Sequence, residues 1–194
     1  LGRVAIHLAQ RQFDLADKDL SALEEKAPGS PILLYLRAVS SFQQRDFTQA
    51  EAEIQQVLEV LPNHPQSQLI YGAILFAKGE LALADQYLSQ AAASFPDHLP
   101  TIKLMAAARM KLNQMDRALE TLEPAVERYP EDAQLLAMLG NAYLQVGRFQ
   151  EGSELLSEAV AINPELAALR TQLAFGLLAQ GNTGEAITEL QTAV

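Results

Sequence analysis

Three histidines, His7, His64 and His98, are the side chains of this 194-residue chain best suited to acid–base or metal chemistry near neutral pH. His64 and His98 stand 34 residues apart, each just ahead of a patterned apolar stretch. Two loop imidazoles at that interval could bracket a ligand, but a surface or helix-capping role is the plainer account. The carboxylate pairs Glu24–Glu25 and Glu131–Asp132 fall where helices should end or begin, and solvated charge is ordinary there. Without any cysteine, the chain has no thiolate nucleophile, disulfide or Cys-ligated zinc. It also has no Gly-rich phosphate loop, paired metal ligands or nucleophile elbow. We therefore expect no catalytic residues, no metal site and no cofactor.

The elements that carry these side chains repeat. Pro28, Pro62, Pro96, Pro130 and Pro164 stand 34 residues apart in four successive intervals without insertion or deletion. Placing them at position 32 of a repeat gives complete repeats at 31–64, 65–98, 99–132 and 133–166, with partial ones at 1–30 and 167–194. Position 8 then holds Ala38, Gly72, Ala106, Gly140 and Ala174. Position 20 holds Ala16, Ala50, Ala84, Ala118, Gly152 and Ala186, small enough for two helices to approach closely. Position 24 is Leu20, Ile54, Leu88, Leu122, Leu156 and Leu190, and position 27 is Leu23, Val57, Ala91, Ala125, Ala159 and Ala193. Spacings of four, three and four put these on one helical stripe. Between the two patterned stretches, position 15 carries Gly79, Gly147 and Gly181 with Asn113, residues that tolerate a left-handed helix C-terminus. Each repeat thus reads as a helical hairpin stopped by its proline, with Ser30 or Asp132 available to cap the helix that follows.

These columns resemble the tetratricopeptide repeat over the whole chain. The resemblance implies an all-α solenoid, a right-handed superhelix of about twelve antiparallel helices in a single array over 1–194. Some positions depart from the family pattern. The tryptophan common near the start of such repeats is replaced by Leu34, Gln68, Ile102, Leu136 and Arg170, and the polar Gln68 and Arg170 should loosen their seams. Arg11 and Arg45 stand where the turn glycine belongs, at a cost of ~1 kcal/mol each if the left-handed geometry is kept. Pro124 lies inside a second helix, where it removes a hydrogen bond and should bend the helix.

Stacking explains most of the apolar columns, because one hairpin cannot bury its own face. What remains is the inner surface lined by first helices, where the family generally binds partners at repeat positions 2, 5, 9, 12 and 13. The partner-binding residues expected on that basis are Tyr35, Val39, Phe42, Leu69, Ala73 and Phe76, then Lys103, Ala107, Met110, Lys111 and Asn141. Phe42 and Phe76 fit packing as well as contact. The first helices, taken as 1–9, 31–43, 65–77, 99–111, 133–145 and 167–179, contain no Asp or Glu, although the chain has 24. They do contain Arg3, Arg37, Lys103, Arg109, Lys111 and Arg170. This predicts an acidic outer face and a neutral to weakly basic inner one, while burial alone would also deplete charge there. The Lys and Asn pattern of a chaperone-binding carboxylate clamp is absent, since Lys103 is followed by Ala107 and then Met138.

With 14 basic against 24 acidic residues and a formal charge of −10, the chain offers no field that gathers phosphates, so nucleic acid is not an expected partner. The longest strongly apolar run, Leu69 to Ala77, is far short of the ~20 residues of a membrane span. The chain starts at Leu1 without Met, as a segment of something longer would. Within residues 60–194, the run Phe95-Pro96-Asp97-His98-Leu99-Pro100, the run Ala118-Leu119-Glu120-Thr121-Leu122-Glu123-Pro124 and the later Asp132-Ala133-Gln134 and Arg170-Thr171-Gln172 are similar to the tetratricopeptide lipoproteins of bacterial PEP-CTERM/exopolysaccharide systems. That resemblance implies a periplasmic or outer-membrane-anchored scaffold for protein or peptide partners, tied to the membrane only by a lipid anchor outside this segment. The alternative is a cytoplasmic regulatory module tethered to an enzymatic domain. Leu173, Leu177, Ile187 and Leu190 on the last hairpin should leave an open apolar end and favour end-to-end self-association.

Overall fold

The computed structural model describes residues 1–193. Among them are twelve helices and no strand: α1 (Gly2–Ala9), α2 (Phe13–Glu24), α3 (Pro31–Gln43), α4 (Phe47–Val60), α5 (Pro65–Lys78), α6 (Leu81–Ser94), α7 (Leu99–Lys111), α8 (Met115–Arg128), α9 (Ala133–Gln145), α10 (Phe149–Ile162), α11 (Ala167–Ala179) and α12 (Thr183–Thr192). The first helices α3, α5, α7, α9 and α11 begin at intervals of 34 residues, in step with the prolines that close the preceding repeats. The chain divides into two compact units, Leu1–Thr101 and the part from Ile102 onward.

Every hairpin turns on one left-handed residue. Gly79, Gly147 and Gly181 have φ of 84°, 82° and 85°, and Arg11, Arg45 and Asn113 adopt the same geometry at 57°, 66° and 58°. The amide after the left-handed residue then donates to a carbonyl five residues back, as in Glu80 to Leu75 at 2.9 Å and Asp46 to Ser41 at 2.9 Å, which satisfies an otherwise orphaned helix-end carbonyl. The two arginines hold this conformation against their Cβ atoms. Arg11→Gly and Arg45→Gly should each raise stability by roughly 0.5–1 kcal/mol, read as a higher midpoint in urea or thermal melts.

Small residues set how closely the paired helices approach. A Cβ on Gly72 would lie 2.7 Å from Leu88 Cγ. In the α9–α10 hairpin both small positions are glycine, and a Cβ on Gly140 would sit 2.8 Å from the Gly152 carbonyl oxygen. The core of the first unit's N-terminal part gathers Val4, Leu8, Ala16, Leu20 and Leu33, with Leu23 and Val39 packed against it. In the second unit Leu136, Leu156, Val160, Leu169, Leu173 and Leu177 form one buried cluster.

Three local expectations are corrected. Gln68 and Arg170 do not loosen their seams. The Gln68 amide donates to the Pro62 carbonyl at 2.9 Å and to Gln90 Oε1 at 3.1 Å, while Arg170 donates to the Pro164 carbonyl at 3.0 Å and to Glu189 at 2.8 Å. A polar side chain in the tryptophan column thus ties α5 and α11 back to the prolines that end the repeats before them. Ser30 does not cap α3 with its side chain, and the Leu33 amide that such a cap would use donates to the Ser30 carbonyl at 2.9 Å, whereas Asp132 does accept from the Leu135 amide at 2.9 Å. Leu173 and Leu177 do not lie open on the last hairpin. They are 5% and 8% exposed, covered by their own cluster, while Ile187 and Leu190 remain open as expected. The helix α8 runs on through Pro124 to Arg128.

Candidate partner-binding faces

In the first unit α1, α3 and α5 pack side by side in succession, as α9 and α11 do in the second, so their position 5 and position 9 side chains line up from one repeat to the next. In the first unit this brings Tyr35 and Val39 on α3 beside Leu69 and Ala73 on α5, all half-buried. The open Ile32 extends the stripe at its start. Tyr35 meets the His64 ring edge-on at a centroid distance of 6.0 Å, and burial pushes its phenol above the usual range. Phe42 stacks at 5.9 Å on Phe47, the first residue of α4, so its ring serves the hairpin; Phe76 is half-buried in the same column. Val39 also packs on the N-terminal core. Tyr35, Leu69 and Ala73 are left as the surface this unit offers.

In the second unit Ala107 and Met110 are half-buried and Lys111 is exposed. The Asn141 amide donates to Gln172 Oε1 at 3.1 Å and links α9 to α11. Lys103 is not a free cation. Its Nζ lies 2.7 Å from the Asp132 carboxylate and 3.1 Å from Gln134 Oε1, so it fastens α7 to the cap of α9. Burial works against the Asp132 charge, but the Lys103 ammonium and the Leu135 amide outweigh it and hold the carboxyl below its ordinary range. A carboxyl lowered on folding contributes fully above about pH 5, and its contribution fades as pH falls below about 4. Asp132→Asn should therefore flatten part of the acid-side loss of stability, measured by melting the variant and the parent chain across that range.

The other cations of the first helices are held in the same way. Arg3 pairs with Asp19 at 2.8 Å, Arg37 with Glu24 at 3.3 Å and Arg170 with Glu189 at 2.8 Å. Lys78 pairs with Glu51 and, at 2.7 Å, with Glu80. Arg109 reaches the Thr121 hydroxyl and, at 3.2 Å, the Arg117 carbonyl. The first helices contain no carboxylate of their own, so acids from second helices and loops neutralise Arg3, Arg37, Lys78, Lys103 and Arg170. The weakly basic stripe expected from Lys103 and Lys111 reduces to Lys111, and the inner faces are apolar and close to neutral.

His64 and His98 do not converge on a ligand. The His64 Nδ1 lies 2.8 Å from the Ser67 hydroxyl and the His98 Nδ1 2.7 Å from the Thr101 hydroxyl, both of which belong to fully buried residues three positions on. The imidazoles sit at the starts of α5 and α7 and dock on their first turns. Among the described residues no group of three His, Asp or Glu side chains is placed to hold a metal ion. Among the described residues no helix is long and apolar enough to cross a membrane.

Reading the columns missed one residue. Phe175 on α11 is 62% exposed, one repeat beyond Asn141 in the position 9 column, with Leu178 at 42% three residues on. Carrying the columns into the last partial repeat would have found it.

Models of the tetratricopeptide repeat match residues 1–53 and 35–98, 75–142, and 133–166. The chain belongs to the tetratricopeptide-repeat family. Among solved structures, MamA from Desulfovibrio magneticus RS-1 is 21% identical, with 84% of this chain and 92% of that one covered at a TM-score of 0.79. A second MamA structure is 18% identical over 80% of this chain and 91% of that one, with a TM-score of 0.74. YrrB, described as a TPR protein with an unusual peptide-binding site, is 17% identical over 90% of both chains, with a TM-score of 0.74. At these identities the likeness is one of fold. No curated protein matches the sequence.

Proposed function

We propose that this tetratricopeptide array is a non-catalytic scaffold that binds a peptide or partner protein on the faces of its first helices. The observation that carries this reading is the contrast on those helices. They have no acidic residue, and all their basic residues but Lys111 are tied down, yet Tyr35, Leu69 and Ala73 in the first unit and Phe175 in the second stay at least partly open. Apolar surface that stacking does not consume is what an interaction face needs. The peptide-binding site named for YrrB is consistent with it.

The setting we infer is a bacterial cell-envelope export or exopolysaccharide system, with the array periplasmic or anchored at the outer membrane. Its support is the sequence resemblance of residues 60–194 to lipoproteins of such systems. Capture experiments with the array as bait, run separately on envelope and cytosolic fractions, test both parts. We expect a partner from the envelope fraction that is lost with Ala73→Glu, which plants a charge on the apolar stripe. A partner found only in cytosol would contradict the setting, and retention by Ala73→Glu would contradict the face.

A further inference from the structure

The second unit has a cleft of about 440 Å³ on the opposite side of α11 from Phe175. Its floor is Leu173 and Leu177, one helical turn apart, whereas Phe175, two residues on from Leu173, lies about 200° round the helix axis. The walls come from α10, through Ser153, Glu154 and Ser157, and from α12, through Glu185 and Thr188.

Two of the residues that line the cleft, Ser153 and Glu189, are tied to neighbouring side chains. Leu155 packs on the core, whereas Glu189 turns aside to Arg170 at 2.8 Å. Ser153 sinks onto Gly176, where a Cβ would lie 2.5 Å from its hydroxyl, and is held there by Gln180, which donates to it at 2.6 Å.

The charge around the opening has one sign. The helices α10 and α12 carry Glu151, Glu154, Glu158, Glu185 and Glu189 and no Lys or Arg. Arg148 answers Glu151, and Arg170 answers Glu189. Glu154 receives only the neutral Gln150 amide at 3.0 Å, and Glu185 has no cationic partner among the described residues. An apolar floor beneath uncompensated carboxylates fits a long aliphatic stem ending in a cation. The volume lies within the range of pockets that take a few side chains.

We propose that this cleft is a second docking site, separate from the first-helix faces, that takes a lysine side chain and its apolar neighbours from a partner protein segment. The stem lies over Leu173 and Leu177, the ammonium reaches Glu154 and Glu185, and the hydroxyls of Ser157 and Thr188 meet the segment's backbone.

The test is an NMR titration of the isotope-labelled full chain with N-acetyl-Leu-Lys-Leu-amide, with the Glu-centred and norleucine-centred peptides run alongside. Saturating shifts at the amides of Ser153, Ser157, Glu185 and Thr188 with the Lys peptide alone support the site. Combining Glu154→Gln with Glu185→Gln should weaken that binding by about threefold or more and reduce its salt dependence. Ser157→Leu, an exposed position, should fill the cleft and abolish the shifts without lowering the melting temperature. Equal binding of the three peptides, unchanged affinity in the double variant, or shifts confined to the first-helix faces would overturn it.

Discussion

Gly152→Val should destabilise the α9–α10 hairpin by about 3 kcal/mol or more, the largest loss expected of any single small-residue change in the chain. A Cβ at Gly152 would lie 2.7 Å from the Gly140 carbonyl oxygen and 2.7 Å from Leu144 Cδ2, and the first of these is backbone that cannot swing away. The β-branched side chain adds two more carbons to that clash and brings little helix propensity in return. Gly152→Ala is the sharper variant, since Ala fills this column in the other five repeats. Its overpacking cost of about 1–3 kcal/mol is offset by about 1 kcal/mol of helix propensity, so a net loss of about 1–2 kcal/mol is expected. Gly140→Ala should behave alike, because its Cβ meets the Gly152 carbonyl at 2.8 Å. Once one alanine has parted the helices, the second costs less, and the pair should couple by about 1 kcal/mol. Because repeat arrays lose structure piecewise, hydrogen exchange is the right readout. Protection should fall in α9 and α10 while α3 and α4 keep theirs. Uniform loss of protection, or additive variants, would mean that the two helices are not set by this contact.

Tyr35→Ala should weaken partner binding by about 2 kcal/mol, near thirtyfold, mainly through faster dissociation. The ring is half-buried between α3 and the start of α5, braced edge-on by His64, so it is a rigid aromatic anchor rather than a mobile one. Phe175→Ala tests the second unit in the same way, and its exposure means that removing it should leave the melting temperature unchanged. Lys103 and Lys111 should part company. Lys103→Glu would face Asp132 and lower stability, whereas Lys111→Glu should slow salt-sensitive association and leave the fold alone. Binding titrations and melts on the same set of variants separate these outcomes. Loss of stability in Tyr35→Ala without loss of affinity would move that residue from the interaction face to the core.

Helix boundaries were legible because prolines and left-handed residues act locally. Pro62, Pro96, Pro130 and Pro164 each stand two residues past the end of a second helix, Gly79, Gly147 and Gly181 close first helices, and Arg11 and Arg45 were forced into the glycine geometry by their register. Column reading also located the close approach of Gly140 and Gly152, since a side chain absent from a sequence is absent from the structure. It failed for long polar side chains, whose reach spans an element boundary. Gln68 and Arg170 looked like defects in an apolar column but extend to the carbonyls of Pro62 and Pro164. Lys103 looked free because Asp132, 29 residues away, is brought back to it only by the hairpin between them. Leu173 and Leu177 share their cluster with residues of four other helices, α8, α9, α10 and α12, and periodicity alone cannot count such neighbours.

The most direct test of partner binding on the first-helix faces is photocrosslinking from single positions in the intact chain. A photoreactive phenylalanine analogue at Tyr35, Leu69 or Phe175 is compared with the same analogue at Gln56 and Glu120, which are exposed on second helices. Crosslinks to the same partner from the first three sites, with none from Gln56 or Glu120, are the expected result. Crosslinks from the second-helix positions, with none from Tyr35, Leu69 and Phe175, would contradict it.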